Sequence, residues 1–367
     1  MTLDLTLFFS HDVSLKIWQT AGILERETAL YKKFVEWGAT VRFISYGGRE
    51  DAQIARSIPE IKVYTNRLGL KPELYRRYLH RIHSLPLWRT KLIKTNQTPG
   101  GQAALIAHRI WGKPLIARCG YMHSDFMINQ FGADSPQADA ALKLESQLFS
   151  SARTIIVTTP MMQASIIERL PLSENRIHVI LNYVDTALFR PLASEVKYDL
   201  IYIGRFQEQK NLDQFIEALY PLNIRVAMVG TGPLEERLQR QATGATAHID
   251  WLGRLPQTRL PELIAQSRIY ALPSLYEGHP KSLIEAMACG VCVLGTDVEG
   301  IRQVITHGQN GYLSQPDASH LRESIQHLLA QDALRSQLGQ AALAFSLQHY
   351  SLESIATQEF ELLQQLL

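Results

Sequence analysis

Short apolar runs, each closed by polar or glycine-rich residues, alternate along this chain with longer segments whose apolar positions recur at helical spacing. The first half reads "LTLFFS", a helical pattern over Ile23 to Trp37, then "TVRFISY"; farther on come "PLIAR", a helix through Leu142 to Phe149, "TIIVTT", a helix over Met161 to Leu170, and "IHVILN". Strands alternating with helices predict a parallel sheet covered on both faces. The pattern restarts after Pro191 with "YDLIYIG", Leu212 to Leu219, "RVAMVG", Leu234 to Thr243, "HIDWLG", Leu260 to Ser267, "IYALPS", Ser282 to Ala288 and "VCVLGT". Between the two, "NYVDTALFRPLASEVK" is rich in breakers, lacks helical period and reads as a linker. The expected fold class is α/β: two doubly wound Rossmann-like domains facing a central cleft, over residues 1–190 and 196–349. The tail from Leu334 to Leu367 is helical in period, and its last part, 350–367, is expected to cross back onto the first domain. Ligands of such sheets bind at the carboxyl ends of the strands, so chemistry is expected in strand-to-helix loops.

Composition agrees with this picture. A length of 367 residues suits two domains, and 46% hydrophobic with 20% charged residues is a soluble, globular balance. The net charge of +2 hides an asymmetry: residues 1–190 hold 24 Lys and Arg against 16 Asp and Glu, whereas 191–367 hold 13 against 19. The first half is thus suited to anionic surfaces or substrates. Its densest basic stretch, Lys71 to Lys94, has seven Lys and Arg against one acid, with Leu, Tyr and Trp interleaved. It reads as a solvated basic face or as a peripheral contact with anionic lipid; no nucleic-acid motif accompanies it.

Asp4 stands where a signal peptide would carry a base, so the start reads as a first strand, and no apolar run reaches 18 residues. The expected location is cytoplasmic, at most peripheral at the inner membrane face. Cys119, Cys289 and Cys292 are too few for a disulfide framework; the Cys289–Cys292 spacing lacks a second ligand pair and reads as buried thiols.

The stretch "SLYEGHPKSLIEAMACG" follows a strand, and Pro280 at the first helical position starts a helix near Lys281. A helix start offers unpaired N–H groups and positive potential, a site for phosphate to which Lys281 and Ser282 add a charge and a hydroxyl. Glu277 and Glu285 flank it. Pointed at phosphate they would repel it by roughly 4 kcal/mol at ~4 Å, so they are read as acceptors for hydroxyls. Phosphate between two hydroxyl-bearing rings describes a nucleoside-diphosphate sugar. "YIGRFQEQKNL" adds Gly204, Arg205 and Lys210 in a second crevice loop, and no Asp-x-Asp motif occurs. The charge of a departing diphosphate is therefore expected to meet Arg205, Lys210 and the helix start, with no metal and no cofactor. In "VGTGPLEERL", Gly230 and Gly232 read as close backbone approach to a ligand or as plain turn geometry; Gly22 reads as a crevice glycine or only a helix start.

The segments "IGRFQEQKNL", "VGTGPLEERL", "WLGRLP", "LPSLYEGHPKSLIEAMACGVCVLGTDVEGIRQVI" and "HGQNGYL" resemble, in order, the retaining glycosyltransferases of family four, which have the GT-B fold; "GILERE" and "KPLIARCGY" match more loosely. The resemblance implies an acceptor-binding first domain and a nucleotide-sugar-binding second domain. It implies that Arg205 and Lys210 bind the diphosphate, that Glu277 contacts the donor sugar and Glu285 the ribose, and that Arg254 and Leu255 hold the base through backbone. The loop Gly278, His279, Pro280, Lys281, Ser282, Leu283 would close on sugar and phosphates. Where many members carry a histidine, this chain has Cys119 or Gly120, with His123 three residues on. The activity expected is transfer from a UDP-sugar, ahead of a GDP-sugar, to a hydroxyl acceptor, and the basic first half points to glycolipid, lipid-linked oligosaccharide or surface polysaccharide biosynthesis. A soluble sugar or small metabolite as acceptor, and a non-catalytic sugar-nucleotide-binding protein on the same frame, are the alternatives.

Overall fold

Each strand–helix series builds its own parallel sheet. The structure is a computed structural model and describes residues 2–367. The chain divides into two units, residues up to Leu181 together with Ile355–Leu367, and Asn182–Ser354.

Strands of the first unit are β1 (Asp4–Phe8), β2 (Thr40–Ile44), β3 (Lys62–Tyr64), β4 (Leu92–Thr95), β5 (Leu115–Cys119), β6 (Thr154–Val157) and β7 (Ile177–Val179). They lie in the order β3-β2-β1-β4-β5-β6-β7, every pair parallel. The chain reverses its direction of travel across the sheet between β1 and β4, the switch point where doubly wound sheets bind ligands. The second unit carries β8 (Tyr198–Ile203), β9 (Arg225–Val229), β10 (His248–Gly253), β11 (Ser267–Leu272), β12 (Cys292–Thr296) and β13 (Tyr312–Ser314) in the order β10-β9-β8-β11-β12-β13, again all parallel. Its switch point lies between β8 and β11. Central strands such as β6 and β12 are buried on both faces, as is β9 after Arg225, which is why they read as largely apolar runs.

Several expectations change. Residues Lys71 to Lys94 are not one basic amphipathic segment: helices span Pro72–Ile82 and Ser84–Arg89, and the chain then enters β4. Lys94 is fully buried there and paired with Glu359 of the helix Leu352–Gln364. Residues 182–184 and Phe189 of the expected linker are buried in the second unit, where Val184 N–H bonds Tyr350 O at 2.8 Å and Leu352 N–H bonds Val184 O at 2.9 Å, whereas residues 190–197 are exposed. A six-residue helix, Leu15–Thr20, intervenes after β1, so Gly22 (φ 68°) closes a helix and does not line the loop that leaves the strand. That loop is Ser10 to Val13, packed so closely against Gly100 that a Cβ there would overlap the His11 backbone. All three cysteines are buried free thiols, each pushed up to about 12 by burial.

Candidate donor site

The loops leaving β8 and β9 are zipped together by their backbones. Gly204 N–H bonds Val229 O at 3.0 Å, Phe206 N–H bonds Thr231 O at 3.0 Å, and Leu234 N–H bonds Phe206 O at 3.2 Å. A Cβ at Gly230 would overlap the Gly204 carbonyl, and one at Gly232 would overlap the Phe206 backbone. Gly230 also has φ 140°, which side chains rarely adopt. The close approach these glycines permit is therefore to the neighbouring loop. Tyr202 donates its hydroxyl to Arg205 O at 3.0 Å, and the Arg205 side chain is exposed.

Beyond Arg205 the chain makes a short 3-10 turn, Glu208–Lys210, ended by Asn211 at φ 54°. Asparagine tolerates that left-handed conformation, and its side chain donates to Pro316 O at 2.7 Å. Gln209 ties the turn to the next loop: its Nε2 donates to Tyr276 O at 2.7 Å, and its carbonyl accepts from Leu275 N–H at 2.8 Å. So placed, the Lys210 ammonium bonds Glu277 Oε1, which also accepts the Ser274 hydroxyl at 2.7 Å. Both members of the ion pair are largely buried. The pairing brings two expected site residues together, but it gives Glu277 a protein partner and divides Lys210 between a carboxylate and any phosphate. Ser274 is a third member that the sequence did not single out.

The next helix is Lys281–Ala288. Pro280 is its N-cap (φ −73°, ψ 107°) rather than its first residue, with no side chain capping the first turn. The first N–H groups of the helix thus lack intrahelical acceptors, beside Lys281, whose Nζ lies 5.8 Å from the centroid of the Tyr183 ring. Ser282 Oγ accepts from the Tyr270 hydroxyl at 2.8 Å. His279 turns its ring onto Tyr350 at 5.2 Å, and its carbonyl accepts from Asn182 Nδ2 at 2.8 Å, so its ring belongs to the packing under the loop. Leu283 is buried. Glu285, one turn into the helix, is 3% exposed and receives Gln257 Nε2 at 2.9 Å. Gln257 follows the "GRLP" segment, and nothing local marked it. Arg254 is exposed and donates to Thr231 Oγ1 at 3.3 Å, with Leu255 half-buried beside it. Gly300 closes the site from beneath: a Cβ there would overlap the carbonyls of Glu277 and Gly278.

In the first unit, Cys119 is buried, with its thiol directed to Tyr121 O at 3.2 Å, and Gly120 N–H bonds Gln97 Oε1 at 2.8 Å. His123 begins the helix His123–Phe131, and burial lowers its pKa. Gln97, from the loop after β4, is a polar neighbour of Gly120 that sequence spacing did not reveal.

The family described as glycosyl transferases group 1 matches residues 185–345, and Glycosyltransferase Family 4 matches residues 28–188. Among curated proteins, the alpha-maltose-1-phosphate synthase of Mycolicibacterium smegmatis is 23% identical over 250 residues, 60% of this chain and 65% of that protein. The chain spans less than two thirds of the length of the curated relatives it matches. Sucrose-phosphate synthase from Thermosynechococcus elongatus has the same fold, with TM-score 0.81 at 20% identity over 99% of both chains. HepE of Anabaena, solved with UDP and glucose, gives TM-score 0.77 at 20% identity over 99% of this chain and 100% of that one. Two Rossmann-like units with matches running from residue 28 to residue 345 place the chain in the group 1, family 4 glycosyltransferases.

Proposed function

We propose that the protein transfers a sugar, with retention of configuration, from a UDP-sugar to a hydroxyl acceptor. The observation that carries this reading is the Lys210–Glu277–Ser274 cluster beside the uncapped helix start at Lys281. A diphosphate on the N–H groups of that helix would draw Lys210 partly away from Glu277, freeing a carboxylate oxygen for a sugar hydroxyl. Arg205, Lys210 and the helix dipole then offset the charge of the leaving UDP, with no metal called upon. The donor C1–O bond breaks, a bond from the acceptor oxygen forms on the same face, and the departing phosphate oxygen takes the acceptor's proton. Glu285, held by Gln257, is the ribose acceptor, and the backbone at Arg254 and Leu255 receives the base. UDP in HepE supports uracil over guanine here. The acceptor we favour is a lipid-linked saccharide in glycolipid or surface polysaccharide assembly at the cytoplasmic face of a membrane. Among the described residues no helix is long and apolar enough to cross one.

Thermal shift with UDP, GDP and ADP tests the base: a ligand at 100 times its dissociation constant adds about 2.7 kcal/mol. Release of UDP from a panel of UDP-sugars, abolished in Lys210→Ala and Glu277→Ala, tests turnover. UDP binding without release from any donor, with any acceptor, would leave a non-catalytic binding protein.

A further inference from the structure

We propose that the outer face of the helix pair Pro72–Ile82 and Ser84–Arg89 is a docking surface for an anionic lipid bilayer. The first helix buries Tyr75 and Leu79 and turns Leu74, Arg77, Tyr78 and Arg81 outward, apolar and cationic side chains on one stripe. The second helix continues it with Leu85 and Trp88. Leu74 is 45% exposed, Tyr78 36%, Leu85 58% and Trp88 62%, a concentration of large apolar side chains that a folded surface does not need. The Arg77 guanidinium lies 5.8 Å from the Tyr78 ring centroid, so charge and apolar surface are interleaved.

Charge selects the occupant. From Lys71 to Arg89 the surface carries the exposed cations Lys71, Arg77, Arg81 and Arg89 and a single acid, Glu73. Glu73 faces His11, its Oε1 3.6 Å from Nε2. The surface therefore presents cations to its surroundings, and only a negative partner complements it. Exposed leucines and a tryptophan are the side chains that enter the headgroup and acyl boundary, whereas a nucleic acid would offer them nothing aliphatic to contact. Lys94, counted with this surface from the sequence, is buried and takes no part. That the bilayer also presents the acceptor rests on the glycosyltransfer reading; the surface itself does not.

Flotation of the full chain with vesicles of phosphatidylcholine alone, and of phosphatidylcholine and phosphatidylglycerol in equal parts, tests this. The protein should float only with the anionic vesicles at low salt. Arg77→Gln with Arg81→Gln should weaken partition about thirtyfold. Leu85→Ser with Trp88→Ser should float at low salt but be released by salt that leaves the wild type bound. All four positions are outward-facing, so unchanged thermal melting shows that the variants fold. Absence of flotation, flotation of both variants equal to wild type, or capture by RNA or an acidic protein in place of vesicles would overturn the proposal. A UDP thermal shift on the same preparations separates the two readings: a shift without flotation sinks only the membrane surface, and flotation without a shift sinks only the donor site.

Discussion

Lys210 and Glu277 stand 67 positions apart and form a largely buried ion pair, with the Ser274 hydroxyl on the same carboxylate oxygen at 2.7 Å. On the proposed reading, Lys210 would meet a phosphate and Glu277 a sugar hydroxyl of the same donor.

Removing either member should disable transfer. On the proposed reading, Lys210→Ala loses a cation at the leaving group, and Glu277→Ala loses the sugar contact and strands Lys210. Each should lower kcat/KM for UDP release by about a hundredfold or more, in the range measured for preorganised donors to a developing anion. The double variant should be little worse than either single one, since contacting residues couple. Additive losses would show that the two act separately.

The backbone beneath that pair gives a second test. Gly300→Ala must displace Glu277 and Gly278, whose carbonyls its Cβ would overlap. Misplacement by about 1 Å can cost a hundredfold, so turnover should fall by at least tenfold. Gly308→Ala is the control: φ 73° strains it, but nothing lies within 4 Å of its Cβ. It should lower Tm and leave turnover intact; equal loss of turnover in both would remove the loop from the site.

What could be read from the sequence was what stands on one continuous strand–loop–helix. Arg205 and Lys210 follow β8, and Glu277 through Glu285 follow β11, so sequence order alone placed them at carboxyl ends of strands. Both sheets were legible for the same reason, through strands such as β9 and β12 whose residues are mostly apolar and buried. Illegible were partners chosen by the fold across many residues. Gln257 meets Glu285, Gln97 meets Gly120, and Gly230 admits Gly204, each through a contact that no local pattern encodes. The three-residue β3 is too short to show a period. Helix boundaries moved by a residue or two at caps such as Pro280, but the helix read from Leu142 to Phe149 starts at Pro136, behind the Ser135 cap.

His83 makes stability pH-dependent. It is buried, its Nε2 2.6 Å from the Tyr75 hydroxyl, and burial with Arg67 nearby pushes its pKa down to about 4. A base whose folded pKa is depressed leaves the unfolded chain holding more protons below pH 6.5, so stability falls as pH drops from about 6.5 toward 4. The loss should be about 2 kcal/mol by pH 5. His83→Phe keeps a ring but orphans Tyr75, costing roughly 1 kcal/mol at pH 7. Urea unfolding should show wild type ahead at pH 7 and the advantage gone or reversed at pH 5. A constant gap at both values would mean that His83 protonates freely in the folded state.

Lys94 and Glu359 carry the last prediction. Lys94 on β4 is wholly buried, bonded to Glu359 and donating to the Tyr31 hydroxyl at 3.1 Å; its Nζ lies 5.0 Å from the Tyr31 ring centroid. Burial lowers the lysine pKa, and the Glu359 carboxylate opposes that shift. Glu359 belongs to the C-terminal helix, within the part of it that joins the first unit. Two desolvated charges that satisfy one another contribute little net, but either one alone is an uncompensated buried charge. Lys94→Met should therefore cost 3–5 kcal/mol, on the order found when buried pairs are broken, and Glu359→Leu a similar amount. The combined Lys94→Met, Glu359→Leu variant should recover most of that loss, because two apolar side chains of like volume fill the space without a charge. Urea midpoints of the four proteins measure it. Single variants within about 1 kcal/mol of wild type would show that water reaches the pair and that the C-terminal helix is held by its apolar contacts, with Phe360 against Phe34 foremost, rather than by this bridge.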